Sequence, residues 1–220
     1  MKITAISDLH GHYPELPEGD LLIIAGDLIA RHNEAEFFEC FNWIHEQRYS
    51  KKILIAGNHD QQMQDENYQG PQGIMIGSFE YLCDSGTEFD GLKIWGSPWT
   101  LTFPEINPKC TAFTGTEKDL AEKYALIPDD TDILITHGPP YGIMDKTVRG
   151  EHVGSKELLK AVMHVKPSFH VFGHVHEGYG KEIITYSYGK LIGQKEMIFL
   201  NCSHVDEHYR PVNGYVEITI

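Results

Sequence analysis

No run of about eighteen apolar residues occurs in the 220-residue sequence, so it offers no membrane-spanning helix. Cysteine is sparse. Cys40, Cys83, Cys110 and Cys202 form no Cys-x-x-Cys pair, which excludes a zinc ribbon or a thioredoxin-like motif. Thiols so scattered read as reduced, buried structural groups of a cytoplasmic protein. A leader is not expected either: Met1-Lys2-Ile3-Thr4-Ala5-Ile6-Ser7 lacks the apolar core and cleavage site of a signal peptide, and a candidate functional carboxylate follows at Asp8. Basic residues are few, 18 Lys and Arg against 32 Asp and Glu, for a formal net charge of −14. Apart from Lys51-Lys52 they stand singly, so a long nucleic acid is not an expected partner. Repeats, low-complexity segments and Pro/Gly/Ser-rich linkers are also missing, and residues 1–220 read as a single domain.

What is present is ample material for a core: 41% of residues are hydrophobic and only 23% charged. Strand-like apolar runs fall at 2–7, 21–25, 52–56, 92–96, 132–136, 169–172, 182–187, 197–202 and 214–219. A helix is expected over 34–48, where Asn33 and Glu36 make a capping-box-like start and Phe37, Phe38, Phe41, Ile44 and His45 follow at helical spacing. A second is expected over 155–164, with Ser155 as N-cap and Pro167 beyond its end, and a third over 117–125. Strands alternate with helices early and pair like hairpins late, which indicates a mixed α/β architecture. The polar, Gly-containing stretch from Gln61 to Gly77 reads as a long functional loop.

Five short motifs punctuate these runs: Asp8-Leu9-His10, Gly26-Asp27, Gly57-Asn58-His59-Asp60, His137-Gly138 and Gly173-His174-Val175-His176. Each brings oxygen or imidazole donors, and most follow an apolar, β-prone run. Strand ends that project such donors into one place build a metal site, and Asp, Asn and His together suit divalent ions of intermediate hardness. Asp8, His10, Asp27, Asn58, His137, His174 and His176 make seven ligands. That is enough for two sites if Asp27 uses its two oxygens to bridge them.

Two such ions work on a phosphate ester by polarising the phosphoryl oxygens and acidifying a bridging water, whose hydroxide attacks in line with the leaving group. The leaving oxygen then needs a proton. His59, next to the ligand Asn58, is the candidate acid, and Asp60 is placed to orient it. Two cations would also add about four positive charges locally, so the acidic balance does not exclude a small phosphate ester.

The ordered set resembles the calcineurin-like metallophosphoesterase superfamily, whose pattern is D-x-H, G-D, G-N-H-D/E, H and G-H-x-H. The resemblance implies a four-layer αββα sandwich, two mixed β-sheets flanked by helices with the metals at strand-end loops. It implies that Asp8, His10, Asp27 and His176 hold one ion, that Asp27, Asn58, His137 and His174 hold the other, and that His59 is the general acid with Asp60 behind it. Gly96-Ser97-Pro98-Trp99-Thr100, Ile135 through Pro140, Val171 through Gly180 and Tyr209 through Asn213 are similar to one branch, the small phosphodiesterases related to mammalian metallophosphoesterase-domain-containing brain proteins. Some members of that branch lack a histidine of the last motif and are nearly inactive; this chain keeps both His174 and His176.

The resulting expectation is a dinuclear-metal phosphodiesterase of small phosphodiesters, cyclic nucleotides among them, with Mn as the first candidate ion and Fe, Zn, Co or Ni as alternatives. A phosphomonoesterase or protein phosphatase with the same metals is one rival, and a weakly catalytic nucleotide-binding regulatory module is the other. His12, Asn201, His204 and His208 are candidates to approach or brace the site. Trp99, Phe103 and Tyr141 either stack on a nucleobase or pack the edge of the fold. His32, His45, His152, His164 and His170 read as surface or core residues, with His45 on the apolar stripe of its helix.

Overall fold

Runs such as Leu21-Leu22-Ile23-Ile24-Ala25 are apolar on both faces, so a strand made from them needs cover above and below. The computed structural model, which describes residues 1–30, 33–64, 79–103, 109–187 and 194–220, meets that need with two stacked sheets and outer helices. In chain order the elements are β1 (Lys2–Ile6), β2 (Gly19–Ala25), α1 (Glu34–Glu46), β3 (Tyr49–Ile55), α2 (Gln61–Gln64), β4 (Glu80–Tyr81), β5 (Ser85–Phe89), β6 (Leu92–Ser97), β7 (Thr100–Leu101), β8 (Thr114–Gly115), α3 (Glu117–Tyr124), β9 (Ile133–Thr136), α4 (Lys156–Val165), β10 (Phe169–Phe172), β11 (Gly180–Ser187), β12 (Gln194–Asn201) and β13 (Val216–Thr219).

One sheet has the order β13-β1-β2-β3-β4, the other β11-β12-β10-β9-β6-β5, and β7 and β8 form a small separate pair. Strands β1 to β4 are parallel to their neighbours, with β13 antiparallel at the edge. In the second sheet β12, β10, β9 and β6 are parallel, and β11 and β5 close the two edges antiparallel.

Side-chain alternation sorts the core into layers. Ile3, Ala5, Leu21, Ile23, Ala25, Ile53 and Ile55 point inward and meet Ile94, Ile133, Ile135, Val171 and Leu200 of the second sheet. The alternate residues Ile6, Leu22, Ile24 and Leu54 point outward and are covered by Phe37, Cys40, Phe41 and Ile44 of α1. On the far side Leu134, Phe172 and Phe199 are covered by Leu120 and Tyr124 of α3 and Leu158 and Val162 of α4. The result is the αββα sandwich.

Local chemistry explains the helix starts. Asn33 accepts from Glu36 N at 3.0 Å, but the Glu36 carboxylate reaches back to Ala30 N at 2.8 Å instead of closing a capping box. Thr116 and Asp119 do form the reciprocal box at the start of α3, and Ser155 caps α4. Helix α1 ends at Glu46, two residues earlier than expected, with Gln47 already extended. Two of its expected apolar-stripe residues are exposed: Phe38 keeps 42% of its surface, and His45 also faces out. The stripe runs through Phe37, Cys40, Phe41 and Ile44, and both residues lie one step around from it. His32 and the stretch 65–77 of the expected loop lie outside the described residues.

Candidate metal centre

Parallel strands run in one direction, so their C-terminal ends share an edge of the sheet. The chain leaves β1 into Asp8 and His10, β2 into Asp27, and β3 into Asn58, His59 and Asp60. In the second sheet it leaves β9 into His137 and β10 into His174 and His176. The two edges are stitched together at Ser7, whose N donates to Cys202 O at 2.9 Å and whose O accepts from His204 N at 2.8 Å. Neighbouring loops are tied in the same manner: Asp8 N to Gly26 O at 3.0 Å, His10 N to Asp27 O at 3.0 Å, and Gly173 N to His137 O at 2.9 Å.

These bonds hold Asp8, His10, Asp27 and His174 at positive φ (53°, 42°, 53° and 68°), a region that costs free energy for residues with a Cβ. Such conformations persist only where surrounding structure over-determines them, and they concentrate at functional sites. Two glycines make the crowding possible. A Cβ on Gly57 would overlap Asp27 Oδ1 and Asp27 N, and a Cβ on Gly173 would overlap Asp8 Oδ2 and Ser7 Oγ.

All seven expected ligands converge. Donor atoms of Asp8, His10 and His176 lie within 4.8 Å of one another, as do those of Asp27, His137 and His174, and those of His10, Asp27 and His59. Asp27 therefore belongs to two clusters. His10 Nε2 is 3.6 Å from Asp27 Oδ2 and 3.9 Å from Asp8 Oδ1, and His137 Nε2 is 3.4 Å from Asp27 Oδ1. His176 Nε2 is 3.3 Å from Asp8 Oδ1, and Asn58 Oδ1 is 2.9 Å from His137 Nε2.

The electrostatics favour cations. Burial alone would raise the carboxyl of Asp8, but His176 and His137 overcome it and hold it below the usual range. Asp27 is likewise kept well down, burial being outweighed by His137 and His59. Burial lowers His10 to about 4 and His174 to about 3, so both present neutral imidazoles. His137 goes the other way, up to about 9, because Asp27 outweighs its burial. Its Nδ1 faces Ala25 O at 3.0 Å and its Nε2 faces Asn58 Oδ1. An imidazole that meets acceptors at both nitrogens must be protonated or must meet a cation at one of them. Neither ring nitrogen of buried His10 has a hydrogen-bond partner among the described residues. An orphaned imidazole between two carboxylates fits a divalent ion, and the Asp/Asn/His donor set suits that ion's chemistry.

His59 is half-buried. Its N donates to Asp27 Oδ1 at 2.9 Å, its ring stands edge-on to His10 at 4.7 Å, and its Nδ1 is 3.7 Å from Cys110 Sγ. Asp60, expected to orient His59, has its carboxylate at the junction of two loops. The bonds given to its carboxylate come from Leu28 N at 3.0 and 3.3 Å and from Gly57 N at 2.7 Å, so it clamps the second loop to the third.

Several bracing residues escape a motif reading. Ser203 Oγ lies 2.8 Å from both Asp8 Oδ2 and Asn201 Oδ1, and Asn201 Nδ2 donates to Val175 O at 2.8 Å. Asn201, marked from its place at a strand end, thus supports the last motif from behind. Tyr209 packs edge-on to His10 at 4.8 Å and His176 at 5.4 Å, and its only sequence signal is position in a segment similar to relatives. His204 binds Asn213 O at 2.7 Å, and His208 is an exposed neighbour of Glu207. His12 sits beside His204, one residue past Gly11. Phe103 lies nearly parallel to the His174 ring at 6.4 Å. Trp99 is structural, since its Nε1 donates to Asp84 and Lys123 lies over its ring at 4.2 Å. Tyr141 packs with His152 and Lys156.

The sequence pattern of the calcineurin-like phosphoesterases matches residues 1–178. The chain is 32% identical to human "Metallophosphoesterase domain-containing protein 1" over 248 aligned positions, covering all of this chain and 71% of that protein. It is 35% identical to "Probable rhamnogalacturonate lyase C" of Emericella nidulans over 84% of this chain, and spans only 18% of that protein's length. Among solved structures, the phosphopantetheinyl hydrolase of Mycobacterium tuberculosis superposes with a TM-score of 0.58 at 16% identity, covering 99% of this chain and 95% of that one.

Proposed function

The chain belongs to the calcineurin-like phosphoesterase family, and on that premise we propose that it is a two-metal phosphodiesterase of small phosphodiesters, cyclic nucleotides among them. The observation that carries this reading is Asp27, whose carboxylate stands in the clusters of His137 and His174 and of His10 and His59 at once. Asp8, His10, Asp27 and His176 would hold one divalent ion, and Asp27, Asn58, His137 and His174 the other, with Mn²⁺ as the first candidate. Such a pair, when bound, polarises phosphoryl oxygens and lowers the pKa of a bound water.

The chain's own residues supply the rest. The Asp60 clamp and the Asp27 bond to His59 N fix the third loop, so the half-exposed His59 ring stands beside His10 and Asp27, which would hold an ion, with its backbone immobilised. From there it gives a proton to the departing oxygen. A net charge of −14 repels a dianionic monoester more than a monoanionic diester, which favours the diester. Four free cysteines agree with a cytoplasmic protein.

The test is hydrolysis of bis(p-nitrophenyl) phosphate by Mn²⁺-loaded protein beside the monoester p-nitrophenyl phosphate. Asp27→Ala and His174→Ala should each lower kcat/KM by on the order of a thousandfold or more. Robust turnover in both variants would overturn the mechanism. Preference for the monoester would move the protein to the phosphatases, and tight nucleotide binding without turnover would make it a regulatory module.

A further inference from the structure

Tyr209 sits in the left-handed region of backbone space, at φ 60°. A bulky residue is an outlier there, and glycine or asparagine would occupy the position with less strain. The turn that imposes this conformation is firmly built. Asp206 N donates to Arg210 O at 2.9 Å, Tyr209 N donates to Asp206 O at 2.9 Å, and the Asp206 carboxylate accepts from His208 N at 2.9 Å and from Arg210 N and Nε at 2.9 and 2.7 Å. A turn needed only to reverse the chain would not place an aromatic ring at its most strained position. The side chain itself is therefore what the position requires.

The ring's surroundings say what for. Its centroid is 4.8 Å from His10, 5.4 Å from His176 and 6.2 Å from His59, at interplanar angles of 80°, 87° and 57°. The turn and the site share an atom: Asp206 O also accepts from His176 Nδ1 at 2.9 Å. Tyr209 is nevertheless 44% exposed. It leans edgewise on the imidazoles from one side and offers its remaining surface to whatever enters beside His59. Phe103, at 23° to the ring of His174, lines the other ligand cluster with a second aromatic face.

We propose that Tyr209 is a specificity-determining residue that contacts the organic group of the phosphoester and favours a planar, unsaturated group, aryl or nucleobase, over an alkyl one. This rests on the reading of the site as a phosphoester hydrolase. Ring-on-ring contact adds a roughly two- to tenfold preference beyond area burial.

The test is calorimetric binding of phenylphosphonate and methylphosphonate to Mn²⁺-loaded protein. Both probes offer the same anionic head and neither is hydrolysed. Wild type should bind phenylphosphonate roughly two- to tenfold more tightly, Tyr209→Phe should keep that ratio, and Tyr209→Gly, which relieves the backbone, should bring it close to one. A melting temperature of the glycine variant at or above wild type will show that the turn survives. An unchanged ratio in Tyr209→Gly overturns the proposal, as does failure of wild type to bind either probe. Aryl selection that vanishes in Tyr209→Gly while no metal-loaded protein cleaves any ester would sustain the role of Tyr209 and count against the hydrolase reading alone.

Discussion

Ser203 Oγ lies 2.8 Å from Asp8 Oδ2, a contact between residues 195 positions apart. The hydroxyl has one proton and two oxygen neighbours, Asp8 and Asn201, and the ionised carboxylate is the stronger acceptor. Ser203 thus fixes which way Asp8 presents its other oxygen to His176. Ser203→Ala should lower Mn²⁺ affinity roughly tenfold, as loss of outer partners of metal ligands does, while leaving the far-ultraviolet circular dichroism unchanged. Isothermal titration with Mn²⁺ measures it; an unaltered affinity would show that Asp8 is held by its neighbours alone.

Metal should also be worth stability. An ion that binds only the folded chain, at a thousand times its dissociation constant, stabilises by about 4 kcal/mol. For a chain of this size that raises Tm by roughly 8–16 °C. Thermal melts with excess Mn²⁺ and with chelator check this, and coincident curves would count against a site built by folding.

Asp60 is predicted to matter for stability before it matters for chemistry. Asp60→Ala leaves Leu28 N and Gly57 N without their buried acceptor, at about 1–3 kcal/mol each. Tm should fall by roughly 4–24 °C. If Asp60 served only to orient His59, Tm would be unchanged and the loss would appear in kcat alone.

A pH dependence follows from His170. Burial between strands lowers it to about 3, and its Nε2 lies 2.8 Å from Thr136 Oγ1. Thr136 already donates to Gly138 O, so His170 Nε2 carries the proton as a neutral imidazole. Above the unfolded value of about 6.5 neither state binds a further proton, and the group has no effect. Below it the unfolded chain is protonated and the folded one is not, so stability falls with falling pH until about 3, by up to about 1.4 kcal/mol per unit. Denaturant melts between pH 7 and 5 should show a shallower decline for His170→Phe than for wild type. Parallel declines would refute the assignment.

The candidate ligands were readable because each lies within four residues of a strand's C-terminal end, and a strand end needs no tertiary information to place a donor at an edge. The same logic located the strands with the strongest apolar runs. It passed over β5, whose Ser-Gly-Thr-Glu-Phe has no apolar run and is a strand by pairing with β6. It also put His45 and Phe38 on a stripe that helix geometry carries one step past them. Ser203, Tyr209 and the clamp role of Asp60 lie beyond such reading for one reason. Each acts through a partner brought near by the docking of two sheets, and no local pattern records that partner.

The Ser7 stitch between the sheets has a consequence for how the protein comes to be. Its partners Cys202 and His204 follow β12, while Ser7 follows β1. The contacts that complete the centre are thus among the longest loops the chain must close, and such contacts form late. A partly folded chain can have β1 to β3 paired and still lack the backbone that steadies Asp8. Capture of ions would then report that both ends of the chain have met.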